Sequence, residues 1–174
     1  LVGSGLWRRW LLFQHGAAFG VDDPLFGRDV GFYVFELPFL DALHATALFA
    51  CLATLALTAG VYAGRGGLYL EDGRPRAERA ARVHLSILGS LLFVVLAAGA
   101  WLTGAHLVVS QGGLVAGAGY TDVNATLPMV RVHAGVALLG AALVAFSATR
   151  RRLVLVGAAV GLYAAVGLLG RGLY

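Results

Sequence analysis

The chain has 174 residues, 59% of them hydrophobic and 13% charged, where an ordinary soluble domain carries about a quarter charged residues. That balance argues against a soluble globule, because the apolar residues are collected into blocks too long to be the stripes of one core. All 13 basic residues are arginine and nine acids oppose them, for a formal charge of +4; the arginines cluster beside apolar blocks instead of along one polar face, which argues against nucleic-acid binding.

The first 38 residues differ in kind from the rest. Trp7, Trp10 and Phe13 are mixed with Arg8 and Arg9, which suits a short helix lying in the membrane interface, or the end of an earlier span. Residues 20–38 carry Gly and Asp turns and then Phe32, Tyr33 and Phe35, rings of the kind that settle at headgroup level.

A helical span needs roughly 20 mostly apolar residues to cross about 30 Å of hydrocarbon. Four blocks meet or approach that length: 39–63, 84–109, 126–148 and 153–170. Pro38 opens the first and suits an initial turn, where its missing N–H would be unpaired anyway; Pro128 lies near the start of the third. The fourth is the weakest, with four glycines that lipid tolerates better than water does. The expected fold is an all-α, polytopic helical membrane protein, with an interfacial, extracytoplasmic segment at 1–38 and a four-helix transmembrane region at 39–174.

Arginine placement predicts the orientation, since short cytoplasmic loops hold the excess of basic residues. Arg65, Arg74, Arg76, Arg79 and Arg82 fall between spans one and two, and Arg150, Arg151 and Arg152 between spans three and four. Residues 110–125 hold none. The first two links are therefore expected in the cytoplasm, and the middle loop, the N-terminal segment and Tyr174 outside. The lone Cys51 lies within an apolar block, so no intrachain disulfide is available. A start at Leu1 without Met and an end just after an apolar block read as a piece of something larger.

Helices associate in lipid through close approach over small residues. Gly157 with Gly161, and Ala137 with Ala141 and Ala145, form such seams, read here as packing within one bundle in preference to a dimer contact.

Ionisable groups inside spans are costly and are the first place to look for function. Asp41, His44, His106, Arg131 and His133 all fall in the expected outer halves, with His44 about 8 Å, His106 about 5 Å and His133 about 10 Å deep at about 1.5 Å per residue. Three histidines at similar depth on three helices have the chemistry to ligate a metal, or two of them a haem iron. Asp41 and His44 are three apart and share a helix face, so the carboxylate is placed to orient that imidazole. Arg131 lies on another face from His133 and is expected to snorkel to headgroups or to pair with an acid of the N-terminal segment. The spacing matches no metal motif such as HExxH, and histidines near span ends are ordinarily hydrated, so no metal and no cofactor is expected. His84 belongs to the cytoplasmic end.

Asp22, Asp23, Asp29 and Glu36 offer oxygen ligands for a hard cation, but they lack the alternation of an EF-hand loop, and turn formation around Pro24 and Gly27 accounts for them. The glycines at 112, 113, 117 and 119 lack the strand, Lys and Ser or Thr of a phosphate loop. Asn124-Ala125-Thr126 spells a glycosylation acceptor set against a span. No Ser-His-Asp or Cys-His set is present.

The run FGVDDPLFGRDVGFYVFELPFL at 19–40, Arg82-Val83-His84-Leu85, and SQGGLVAGAGYTDVNATLP at 110–128 resemble the bacterial membrane family known as uncharacterised protein family 0182, over nearly the whole chain. The resemblance implies a multi-pass protein of the bacterial plasma membrane, several times longer than this chain, with a large extracytoplasmic domain after its last span. It transfers Asp23, Phe26, Asp29, Phe32, Tyr33, Tyr120, Thr121 and Asp122 as family-like positions and carries no catalytic residue. The expected function is a non-enzymatic membrane segment that anchors and assembles with that external domain. A transporter or channel component using Asp41 and Arg131, and a haem or metal redox protein using His44, His106 and His133, are the alternatives. Expected partners are the lipid bilayer, the remaining domain and earlier spans, and a further copy or other envelope proteins, with no nucleic acid.

Overall fold

The structure is a computed structural model that describes residues 3–71, 73–110, 117–150 and 153–171. It is all-α apart from one hairpin: α1 (Gly3–Gln14), α2 (Leu37–Gly64), β1 (Leu68–Glu71), β2 (Arg74–Ala77), α3 (Arg79–His106), α4 (Leu127–Arg150) and α5 (Leu153–Arg171). Counting the turns that lead into and out of them, the stretches Phe32–Gly64, Arg79–Val109 and Asp122–Thr149 are long and apolar enough to cross a membrane. The fourth expected span is helical too, and its apolar stretch, Val154–Gly170, is shorter than the other three.

Two of these helices begin earlier than their prolines suggest, and both do so in one way. Phe32–Glu36 forms a π-helical turn ahead of Leu37-Pro38, and Asp122–Thr126 forms another ahead of Leu127-Pro128. In each, the leucine N–H donates five residues back, Leu37 to Phe32 O and Leu127 to Asp122 O. A proline inside a helix lacks one donor and its ring crowds the carbonyl four residues earlier; a widened turn gives that carbonyl room. The helix of the first span is therefore already under way at Val30, ahead of the expected start at residue 39.

The link between α2 and α3 folds as an antiparallel hairpin that pairs Leu68 with Ala77 and Glu71 with Arg74. Two residues separate the strands, and the second, Gly73, has φ +71°, a backbone state that glycine reaches at no steric cost. Gly66, at φ +73°, turns the chain out of α2, with Gly67 N–H donating back to Tyr62 O at 2.8 Å.

The chain divides into two compact units, Leu1–Thr46 with Gly99–Arg131, and Ala47–Ala98 with Val132–Tyr174. In the first, Phe32, Tyr33 and Leu37 pack with Leu102 and Ala105. In the second, Phe93, Ala97, Ala137, Ala141, Val144 and Ala159 form the core. Of the fifteen buried apolar residues among those described, seven are alanine, whereas Phe49 and Leu57 stand 75% and 72% exposed. Small residues inside and large apolar ones outside is the pattern of helices packed in lipid, where tails solvate leucine as well as a core does.

The alanine seam of the third span holds in part. Ala137 and Ala141 are buried in the second unit's core, and the next contact comes from Val144, with Ala145 exposed. The expected Gly157/Gly161 packing seam is corrected: both glycines are exposed with open space around them, and α5 packs through Ala159, Val156 and Tyr163. A helix buries one arc of its surface, and the arc here is centred on Ala159.

Candidate functional site

The polar groups of the first unit are organised around two aspartates. Asp23 is 4% exposed. Its Oδ1 accepts the N–H groups of Leu25 at 2.8 Å and Phe26 at 2.7 Å, and its Oδ2 accepts the Arg28 N–H at 3.0 Å and the Tyr33 hydroxyl at 2.7 Å. The first two bonds are what an aspartate preceding Pro24 makes in a turn; the tyrosine arrives from the π-turn. Burial pushes the carboxyl upward, and the bonds from Phe26, Tyr33, Arg28 and Leu25 more than offset that, holding it below the usual carboxylate value.

Asp29 does the same for the other end of the loop. Its Oδ1 accepts from Phe19 N–H at 2.9 Å and Gly31 N–H at 2.6 Å, and its Oδ2 from Gly20 N–H at 2.7 Å. The Phe19 and Gly31 bonds dominate in holding its carboxyl low. Asp22 and Asp29 also face one another across an isolated antiparallel bridge. The acids considered as a cation site are thus spread over different tasks, and the oxygens of Asp23 and Asp29 are committed to backbone donors. Glu36 lines a cavity of about 330 Å³ together with Arg28 and Asp29.

Arg28 stands with its guanidinium carbon 4.4 Å from the centre of the Phe32 ring and 5.2 Å from that of Trp101 on α3, a cation held over two aromatic faces. At the other family-like segment, Asp122 accepts the Gly119 N–H at 2.9 Å and Asn124 donates to Tyr120 O at 2.9 Å. Both bonds close the start of the second π-turn.

Among the residues expected inside the spans, Asp41 of α2 meets His106 at the end of α3, with Nε2 2.9 Å from Oδ2 and 3.0 Å from Oδ1. Sequence spacing pointed to His44 as the partner of Asp41; the pairing with His106 is an added one across two helices. His44 lies where α2 crosses Gly99, so closely that a Cβ there would come within 2.6 Å of its Nε2. His133 is in the second unit, edge-on to the Tyr163 ring at 4.4 Å, and Arg131 is exposed. Among the described residues no three His, Cys, Asp or Glu side chains come together as a metal-holding group, and the histidine trio of the redox reading is divided between the two units. His84 receives a 2.7 Å hydrogen-bonding contact from the Tyr62 hydroxyl. The glycines at 112 and 113 lie outside the described residues.

A family profile matches residues 1–174 from end to end: Uncharacterised protein family (UPF0182). The chain belongs to UPF0182. A UPF0182 protein of Geobacter sulfurreducens is 39% identical over 83% of this chain and 16% of its own length. One from Pelobacter propionicus is 42% identical over 75% of this chain and 15% of its own length, and one from Salinispora tropica is 39% identical over 100% of this chain and 18% of its own length. This UPF0182 chain therefore corresponds to less than a fifth of those relatives. No solved structure matches it.

Proposed function

We propose that this segment is a non-enzymatic membrane anchor of a multi-pass protein in the bacterial plasma membrane, and that it holds a large extracytoplasmic domain belonging to the rest of the chain. The supporting observation is the use made of Asp23 and Asp29. Seven hydrogen bonds converge on these two carboxylates, six of them from backbone N–H groups. Carboxylates spent in that way fix the path of residues 19–33 and have little capacity left for acid–base chemistry. The rings of Phe32 and Tyr33, buried against Leu102 and Ala105, then suit a rigid platform.

The test is exchange of the membrane helices in the full-length protein. Replacing them with unrelated spans of the same topology, while keeping residues 16–36, is expected to preserve insertion and the external domain's protease-resistant core. Loss of that core, at normal expression and insertion, would count against anchoring as the role.

A second reading, a path for protons or small ions, is favoured by the Asp41–His106 pair, because a carboxylate and an imidazole on two membrane helices are a costly combination with a capacity to exchange a proton. Full-length protein in vesicles with a pH-sensitive dye inside would show flux that falls on Asp41→Asn and on Arg131→Ala. Equal flux in these variants removes both residues from any path.

A further inference from the structure

The second unit contains a cavity of about 760 Å³ between the hairpin and the helices, within the range of roughly 300–1,000 Å³ that suits a bound small molecule. Its wall is almost wholly aliphatic and aromatic, with Leu55 and Ala59 from α2, Leu85 and Phe93 from α3, and Val160 from α5. The charged residues in that wall are both arginines, Arg76 on β2 and Arg82 in the first turn of α3. Each is held in place. Arg82 Nε donates to Ala148 O at 3.1 Å near the end of α4, and Arg76 Nε pairs with Glu71 at 3.1 Å.

We propose that this cavity binds an anionic phospholipid, its acyl chain against the apolar wall and its phosphate at Arg76 and Arg82. Charge and polarity together select that occupant. A soluble anion has no use for the hydrocarbon wall, and an apolar helix has nothing to offer two arginines. The surrounding sequence strengthens the field: residues 65–82 carry five arginines against three acids, and the sequence places Arg150, Arg151 and Arg152 in a row. A basic pocket between membrane helices is a recurrent headgroup site. The inference rests on the membrane-spanning reading above and is independent of the anchoring role.

The experiment uses the full-length protein, delipidated in detergent and titrated with phosphatidylglycerol or phosphatidylcholine of identical chains, with native mass spectrometry as the readout. Phosphatidylglycerol is expected to be retained in preference, and its retention to fall with rising salt. Arg76→Gln and Arg82→Gln are each expected to weaken it roughly fivefold, Arg76→Lys to restore it, and Ala59→Phe to block it by filling the apolar wall. Arg76 is half exposed, so an unchanged melting temperature in Arg76→Gln separates lost binding from lost folding. Equal retention of the two lipids, no effect of salt, or full binding by Arg76→Gln overturns the proposal. If other spans of the full-length chain fill the cavity, Ala59→Phe destabilises the protein and no lipid is retained, which also overturns it. Failure of the span exchange described above would leave the lipid titration unaffected, so the two readings fail separately.

Discussion

The Tyr33 hydroxyl donates a 2.7 Å hydrogen bond to Asp23 Oδ2, and the two side chains are 6% and 4% exposed. This bond ties the first turn of the leading helix to a loop ten residues earlier in the chain, so the wide π-turn and the Asp23 loop are held as one piece.

Tyr33→Phe removes one donor from a buried carboxylate and keeps the ring. Hydrogen bonds to charged groups contribute roughly 1.5–3 kcal/mol, and a loss in that range is expected in the thermal or denaturant stability of the purified protein. Asp23→Ala is expected to cost more, because it strands the N–H groups of Leu25, Phe26 and Arg28 along with the phenol. Hydrogen exchange should accelerate first at residues 19–33; uniform protection in Tyr33→Phe would show that the bond is not needed to order the loop.

Acid should loosen the same loop. Folding holds both Asp23 and Asp29 below their ordinary value of 3.8, so ionisation is favoured in the folded state and the unfolded chain binds more protons at low pH. The stabilisation is therefore fully present above that value and is lost as pH falls from there through the folded values. Amide exchange at Phe19, Gly20, Phe26 and Arg28, corrected for the intrinsic pH dependence, is expected to be flat from pH 7 to about 5 and to rise steeply below 4. Asp23→Asn should flatten the part of that rise reported by Phe26 and Arg28.

What could be read from the sequence follows from the range of the interactions. The apolar blocks were legible because lipid selects composition over some twenty residues at a time. Asp23 was legible as a turn former, since Leu25 and Phe26 are its near neighbours, and its bond to Tyr33 was not, because it depends on how the π-turn presents the ring. The hairpin had a local signal in Asp72-Gly73 between Leu70 and Pro75, a turn dipeptide, which a reading of 65–82 as an arginine loop passes over. The Asp41–His106 pair spans 65 residues and is set by the relative height of α2 and α3, a quantity that helical periodicity does not contain. The same limit explains Gly157 and Gly161: spacing shows that two glycines share a face, and packing decides which way the face turns.

Close helix packing gives a contrast between two glycines of α4. A Cβ on Gly140 would meet the Phe93 ring at 2.7 Å, while Gly135 has nothing within 4 Å. Overpacking of this kind costs typically 1–3 kcal/mol. Gly140→Ala is expected to lower stability by that amount, Gly135→Ala to leave it level or slightly raised through better helix propensity, and Phe93→Leu to rescue part of the Gly140→Ala defect. Equal stability of the two glycine variants would mean that α3 and α4 are not closely packed at Phe93 and Gly140.

The orientation rests on the arginines and is testable in intact cells. In a cysteine-free background, made in this segment by Cys51→Ser, single cysteines at Pro75, Gly117 and Arg151 report on three successive links. The charge bias predicts the basic links on the cytoplasmic side, so Gly117→Cys is expected to react with an impermeant maleimide in whole cells. Pro75→Cys and Arg151→Cys should react after permeabilisation alone. Adding two arginines beside Gly117 while replacing Arg150 and Arg151 with glutamine should weaken that preference and yield a mixed population, since the bias is set by counts of basic residues near span ends. Labelling of positions 75 and 151 in sealed cells with 117 protected would invert the arrangement, moving the Asp23 loop and the Asp41–His106 pair to the cytoplasmic side and removing the case for an anchor facing outward.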